Sequence, residues 1–171
     1  MFDIFHETLL EMEKWENVVN RKRPLNAGEI NDSLSNVYNF IGVIDMKYLD
    51  KLRINELPIS FVLHYNNHWI AIYISIDRLE IMDSTHSVFE SPPSEFVHFL
   101  CLNKQKEIQF NPLLQSNSTN VCGLYCLYFI QEKAKNVTYS DIIKKFTTST
   151  ILNDFIINDL KKELVTKYKS D

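Results

Sequence analysis

The sequence has few of the features that mark secreted or membrane proteins. It contains three cysteines in 171 residues, which are too few for a disulfide framework. Its N-terminus lacks the basic and then apolar segment of a signal peptide. No apolar run approaches the roughly 18 residues that a membrane span needs. We therefore expect an intracellular protein that is not secreted and has no membrane partner.

Positive charge, proline and glycine are also scarce. The chain has 18 Lys and Arg against 22 Asp and Glu, and a net charge of −4 argues against a basic surface for nucleic acid. The chain has five prolines and three glycines, and it contains no linker, repeat or low-complexity tract. We therefore predict no internal domain boundary. With 45% hydrophobic residues, residues 1–171 are expected to form one domain, with residues 1–25 as a helical N-terminal extension.

Hydrophobic periodicity predicts an α+β fold, with a small mixed or antiparallel central sheet flanked by helices. Helices are predicted at 2–20, from near Asn26 through Leu34, at Tyr139 to Phe146 and at about Thr150 to Tyr168, and a turn and N-cap at Pro92–Glu95 is predicted to lead into a helix through Phe96, Phe99 and Leu100. Short strand-type runs are Ser60–His64, Trp69–Ile74, Arg78–Met82 and Glu107–Phe110. Gly42 interrupts the apolar segment 40–45, which indicates a special backbone position.

One segment combines a reactive side chain with an unusually apolar helix. Cys122 and Gly123 open a run from Leu124 to Ile130 that is almost wholly hydrophobic, which predicts a helix buried in the middle of the domain. A thiol at a helix N-terminus lies against free backbone N–H groups and the positive end of the helix dipole, and both favour the thiolate. Cys122 is thus a candidate nucleophile, or alternatively a small buried hydrophobe. Gly123 would let a substrate backbone come close.

His68 is the histidine best placed to act as a base for such a thiol. It precedes Trp69 and opens an apolar strand, a setting that the other histidines do not share. Asp83 follows fifteen residues later and could hold the imidazole in one tautomer. The alternative for Asp83 is a strand-end or turn carboxylate, which the following Ser84-Thr85 keeps open.

The two residues come together if the strands between them form a hairpin. A loop centred between Ser75 and Ile76 would place them directly opposite each other, with Cβ atoms about 5 Å apart. A tight turn at Asp77-Arg78 would displace them by four residues, on the order of 13 Å along the strand. Because Asp-Arg is a poor tight-turn dipeptide, we expect the wider loop.

A thiol nucleophile that attacks a carbonyl also needs a donor for the oxyanion. Gln115 lies seven residues before the cysteine, at the end of a strand region, and can curl back toward the helix N-terminus. Its amide could act there with the backbone N–H of Cys122. A loop glutamine is usually solvent-facing, and Asn117 and Asn120 are alternative donors.

These residues occur in the following order: His68-Trp69, Asp83, Gln115 and Cys122-Gly123. The order resembles the adenovirus-type cysteine protease (adenain) family and its relatives. These relatives are the ubiquitin-like-protein proteases and the proteases of large DNA viruses and virus-like transposons. The resemblance runs from roughly Asn26 to the last helix and implies a papain-like arrangement, with the nucleophile at the N-terminus of a buried central helix. It implies the histidine as base, the aspartate as its orienting group, the glutamine as oxyanion donor and the cysteine as nucleophile, with Trp69 and Gly123 against the substrate.

The motifs are mixed between the branches of this superfamily. The seven-residue spacing from Gln115 to Cys122 resembles the adenoviral branch. In ubiquitin-like-protein proteases this spacing is usually six residues, and an aspartate occupies the position of Val121. Asp83 resembles the ubiquitin-like-protein branch, because the adenoviral enzyme has glutamate in the orienting role. The transposon and small-virus members are most similar to this chain in another pattern. That pattern is Gln-Ser followed by a polar stretch, then Val-Cys-Gly and Tyr-Cys.

The resemblance implies a cysteine endopeptidase that cleaves viral or virus-like structural precursors at Gly-containing sites. Such a protein would act in host cytoplasm or nucleus, or be packaged in a virion. The adenoviral enzyme bonds an activating peptide through a cysteine upstream of the glutamine. Here Cys101 lies in that region at a different spacing, and we expect it to pack a helix end. Cys126 is expected to be a buried packing residue.

Other partners and other functions follow from the same residues. The acidic balance argues against the DNA cofactor of the adenoviral enzyme, and no metal or other cofactor is expected. One alternative is an isopeptidase or processing protease for a ubiquitin-like modifier. Another is an acetyltransferase with the same triad, as in certain bacterial effectors, and a third is a non-catalytic binding module on a protease-like fold.

Overall fold

The structure is a computed structural model that describes residues 23–166. The helix predicted at 2–20 and the predicted helix end at Tyr168 lie outside the described residues. The strands are β1 (Phe40–Asp45), β2 (Ile59–Tyr65), β3 (His68–Ile74), β4 (Arg78–Met82) and β5 (Glu107–Phe110). The α-helices are α1 (Ala27–Leu34), α2 (Ser87–Glu90), α3 (Ser94–Leu102), α4 (Cys122–Ala134), α5 (Tyr139–Ile143), α6 (Thr150–Asp159) and α7 (Lys161–Leu164), with a 3₁₀ helix at Met46–Lys51.

The five strands form one mixed sheet in the order β1-β2-β3-β4-β5. β2, β3 and β4 are antiparallel neighbours, whereas β1 runs parallel to β2 and β5 runs parallel to β4. Helices flank this sheet, so the predicted α+β class is confirmed. Among residues 23–166, no helix has the length and apolar character that crossing a membrane requires.

β3 is buried on both faces of the sheet. Trp69 and Ala71 enter the core that includes α4, whereas Ile70 and Ile72 enter a second core that includes α3. Because both faces are covered, the strand reads as a continuous apolar run instead of an alternating one. α4 is buried along most of its length, which confirms the prediction of a central apolar helix.

The edge strand β1 contains a backbone irregularity at its glycine. Gly42 has φ of +116°, a conformation that L side chains rarely adopt. The pairing with β2 shifts register between Phe40 and Val43, and Val43 N–H donates to Asn31 Oδ1 of α1 at 3.2 Å. The special backbone position at Gly42 is confirmed, although the sequence analysis did not predict a strand there.

The hairpin between β3 and β4 has a tighter turn than predicted. Ile72 pairs with Ile81, and Ser75 N–H donates to Arg78 O at 2.9 Å, which leaves a two-residue turn. Arg78 N–H donates to Ser75 Oγ at 3.2 Å, and Lys106 Nζ donates to the Ser75 carbonyl at 2.7 Å. The turn residues are Ile76 and Asp77, so the prediction of a wider loop is wrong, and the side chains of Ser75 and Lys106 stabilise the tighter turn.

Two predicted helix ends also differ from the structure. The helix predicted from Thr150 to Tyr168 is interrupted, since α6 ends at Asp159 and Leu160 N–H donates back to Ile157 O at 3.2 Å. The helix predicted to reach Phe146 ends three residues earlier. Extended backbone at Val165 ends α7, and its buried side chain enters the core around α4.

Candidate active site

His68 and Asp83 are in direct contact. His68 is the first residue of β3 and Asp83 directly follows β4. Their predicted direct opposition is wrong, because continuing the observed pairing places Asp83 level with Ile70. A shift of two residues keeps a side chain on the same face of the sheet, and diagonal neighbours are within reach of a long side chain. His68 Nε2 accordingly donates to Asp83 Oδ1 at 2.6 Å.

The Asp83 carboxylate is fully buried and is held from several directions. Val88 N–H donates to Asp83 Oδ2 at 2.9 Å. The Asn111 side chain continues the strand pairing: its Oδ1 accepts from Asp83 N–H at 2.8 Å, and its Nδ2 donates to Asp83 O at 2.9 Å. These contacts fix the backbone and the carboxylate of Asp83, as an orienting residue requires.

Cys122 interacts with the same histidine. Burial lowers the pKa of His68, but hydrogen bonds and charges from Asp83 and Cys122 outweigh this and raise the pKa of His68 to about 9. Because Nε2 donates to Asp83, Nδ1 is the ring nitrogen that can bond the thiol. The structure therefore brings together the three residues predicted as nucleophile, base and orienting group.

Cys122 is the first residue of α4 and is 4% exposed. The N-cap position is Val121, whose side chain makes no capping hydrogen bond. A thiol at this position lies where backbone N–H groups lack intrahelical partners. The sequence pattern predicts this position for the nucleophile.

The Gln115 side chain is buried, whereas Asn117 and Asn120 are exposed. Its Oε1 accepts from Ser84 Oγ at 2.6 Å, and its Nε2 donates to the backbone O of Thr119 at 2.9 Å. Because a backbone carbonyl can only accept, these contacts assign the amide orientation. Nε2 also lies 3.1 Å from Thr119 Oγ1, so Gln115 links the residue after Asp83 to the loop before Cys122.

Trp69 and Gly123 pack against the start of the described chain. Trp69 Nε1 donates to Leu25 O at 2.9 Å, and its ring lies 4.6 Å from the His64 ring between centroids. A Cβ placed on Gly123 would lie 3.2 Å from Leu25 Cβ and 3.3 Å from Trp69 Cδ1. Close packing thus gives a structural reason for this glycine, and substrate contact at both residues stays a prediction.

The other two cysteines have different environments. Cys126 is 1% exposed, and burial raises its pKa, as expected for a packing residue. Cys101 is exposed on α3, so the prediction that it packs a helix end is wrong. Within residues 23–166, no group of three or more His, Cys, Asp or Glu could hold a metal ion.

Several polar residues around this site were not predicted from the sequence. Thr85 Oγ1 lies 3.2 Å from His68 Nε2, and Asn111 holds the backbone of Asp83. Asp154 on α6 accepts from Thr119 Oγ1 at 2.9 Å. This helix contains two Asn-Asp pairs, Asn153-Asp154 and Asn158-Asp159, so the local pattern does not single out Asp154.

No protein-family model matches the sequence, and no curated protein matches it at a significant level. Several solved structures are similar to it, including the following two. The central domain of uncharacterized Lpg1148 from Legionella pneumophila aligns with a TM-score of 0.52 at 11% identity, over 88% of this chain and 100% of that chain. The SUMO protease Ulp1, with its catalytic cysteine oxidized to a sulfenic acid, aligns with a TM-score of 0.48 at 15% identity, over 86% of this chain and 82% of that chain. The Legionella likeness shows a shared fold alone.

Proposed function

We propose that this protein is a cysteine protease whose catalytic triad is Cys122, His68 and Asp83. The observation that carries the proposal is one buried imidazole that hydrogen-bonds a fixed carboxylate and interacts electrostatically with a thiol at a helix N-terminus. This is the geometry by which a base activates a nucleophile and a third group orients the base. The members come from the start of β3, the end of β4 and the start of α4.

In the proposed reaction the sulfur of Cys122 attacks the scissile carbonyl carbon, and the thiol proton resides on His68. The carbonyl oxygen becomes an oxyanion, which the backbone N–H of Cys122 and one N–H of Gln115 stabilise. His68 then gives its proton to the leaving amine as the C–N bond breaks. Water hydrolyses the resulting thioester and restores the thiol.

For Gln115 this role requires one hydrogen bond to change. Its Nε2 has two hydrogens, and the 2.9 Å bond to the Thr119 carbonyl holds one of them. The other faces Thr119 Oγ1 at 3.1 Å, a neutral acceptor. A charged oxyanion is the stronger acceptor and would take this hydrogen during the reaction.

We further propose a protein substrate with a small residue, often glycine, before the cleaved bond. Support comes from the resemblance of the motifs to adenain-like proteases of virus-like transposons and small viruses, for which the natural substrate would be a structural precursor. A need for an activating peptide, and a location in a host cell or virion, stay predictions. The negative net charge opposes a DNA cofactor.

The test compares the full chain with its Cys122→Ala variant on peptides that contain glycine. A matched control is Cys101→Ala, which removes an exposed cysteine on α3. We expect cleavage by the wild type and the control, and a loss of at least about 10³-fold in Cys122→Ala. Equal cleavage by both variants would contradict the proposal.

Two further substrates separate the alternative functions. Cleavage of a ubiquitin-like modifier fusion, without cleavage of unrelated glycine peptides, would favour the isopeptidase. Consumption of acetyl-CoA would favour the acetyltransferase. A wild-type Cys122 that fails to react with a peptide aldehyde would favour a binding module.

A further inference from the structure

Asp154 is a buried carboxylate on α6 whose hydrogen-bond donors lie around the proposed nucleophile. It is 3% exposed. Its Oδ2 accepts from Ser116 N–H at 3.1 Å and from Thr119 Oγ1 at 2.9 Å. Its Oδ1 accepts from the hydroxyl of Tyr125 at 2.8 Å. Burial of a carboxylate is costly unless hydrogen bonds stabilise it, and these three donors do so.

These donors belong to two separate parts of the site. Ser116 and Thr119 are in the loop that carries Gln115, whereas Tyr125 is in the first turn of α4, three residues after Cys122. One carboxylate therefore joins the loop to the helix. The two parts also contribute the two proposed oxyanion donors, one from each.

Thr119 passes this constraint directly to the glutamine. Its hydroxyl donates to Asp154, and its backbone carbonyl accepts from Gln115 Nε2 at 2.9 Å. On the other side of the glutamine, Asn153 Nδ2 donates to Leu114 O at 3.1 Å. Adjacent residues of α6 thus hold the loop before and after Gln115.

We propose that Asp154 is a positioning residue for the oxyanion site, fixing the Gln115 amide relative to the backbone N–H of Cys122. This inference rests on the proposed cysteine protease function. Oxyanion donors must lie at about 2.7–3.1 Å from the developing charge, and a misplacement of about 1 Å can cost about 10²-fold in rate. Asp154 would act through Thr119 and Tyr125, without touching substrate.

The experiment uses two probes of Cys122 on the full chain. A peptide ending in glycinal forms a hemithioacetal: the sulfur bonds to the aldehyde carbon, and the former carbonyl oxygen enters the oxyanion site. Iodoacetamide forms a C–S bond as iodide leaves and the thiol proton is lost, so no oxyanion develops. The inhibition constant of the aldehyde and the alkylation rate of Cys122, followed by mass spectrometry, therefore separate oxyanion positioning from thiol reactivity.

We expect Asp154→Ala to raise the inhibition constant of the aldehyde at least about tenfold, and Tyr125→Phe to raise it about threefold or more. The alkylation rate of Cys122 should stay within about twofold of wild type in both variants. Adding Tyr125→Phe to Asp154→Ala should add little, since both break the same link. Asp154→Asn should recover most of the affinity, because its oxygen can serve the loop while Tyr125 donates instead to Leu114 O, now 3.3 Å away. Asp159→Asn, at the exposed end of α6, is the matched control and should leave both readouts unchanged.

Two outcomes would overturn this role. One is an aldehyde affinity within twofold of wild type in both Asp154→Ala and Tyr125→Phe. Another is a fall of the alkylation rate in proportion to the aldehyde affinity, which would show general damage to the fold. If Asp154→Ala does not fold, Tyr125→Phe decides by the same two readouts. A wild-type Cys122 that reacts with neither probe would instead remove the protease function itself, before any Asp154 variant is considered.

Discussion

His68 Nε2 donates to Asp83 Oδ1 at 2.6 Å, while Val88 N–H donates to the other oxygen of the same carboxylate. The imidazole is therefore oriented by a group that is itself fixed by the backbone of α2. Nδ1 is thereby left as the ring nitrogen that can bond the thiol of Cys122, whose interactions help to raise the pKa of the ring.

Replacing Asp83 by Asn should keep the shape of the site but remove the charged acceptor of the His68 N–H. We expect kcat/KM on a cleaved peptide to fall by about 10²–10⁴-fold, because the wrong tautomer or ring orientation is then favoured. The control is Asp77→Asn, which changes an exposed carboxylate in the β3–β4 turn. A kcat/KM for Asp83→Asn as high as that of Asp77→Asn would show that the site does not depend on Asp83.

Folding stability should decrease as the pH rises through about 9. The pKa of His68 is raised from 6.5 to about 9 in the folded chain, so its protonated form stabilises the fold fully below about pH 6.5. This contribution is lost as the pH passes the folded pKa, and we expect a loss on the order of 1–3 kcal/mol.

Denaturant unfolding of the wild type and of His68→Gln, measured between pH 6 and 10, checks this titration. The difference in unfolding free energy between the two proteins should shift in favour of the variant over that range. A difference that is independent of pH would contradict the raised pKa of the histidine.

Gln115→Glu should impair catalysis while changing the size of the side chain little. A carboxylate cannot donate to the Thr119 carbonyl or to an oxyanion, so we expect kcat to fall by about 10²–10³-fold with a smaller change in KM. Asn117→Asp, on the exposed part of the same loop, makes the matched amide-to-carboxylate change. A kcat near wild type in Gln115→Glu would assign the glutamine a purely structural role.

Gly123→Ala should destabilise the contact between α4 and the start of the described chain. The new Cβ would lie 3.2 Å from Leu25 Cδ1, an atom that Leu25→Ala removes; this distance is tighter than an ordinary contact, and overpacking of this kind costs about 1 kcal/mol or more. Thermal unfolding of Gly123→Ala, Leu25→Ala and the double variant measures the coupling. We expect Leu25→Ala to cost less in the Gly123→Ala background than in wild type, whereas additive losses would argue against a clash.

The local sequence predicted those features that depend on neighbouring residues. The apolar runs of β2, β3 and β4 and the α4 helix were predicted because burial on both faces leaves a continuous hydrophobic pattern. Cys122, His68 and Asp83 were recognised as a set because each supplies a chemical role that the others need. The prediction of the helix that begins after Asn26 was also correct, since the capping box of this helix is encoded within four residues.

The tertiary structure decided what depends on contacts between distant residues. The hairpin register differs from the prediction because Lys106, 31 positions after Ser75, donates to the turn. Asn111 and Asp154 could not be assigned to the site, since nothing near them in sequence shows that they meet Asp83 and Thr119. Local pattern thus determined which residues carry the proposed chemistry, and long-range hydrogen bonds between buried polar groups decided how these residues are held.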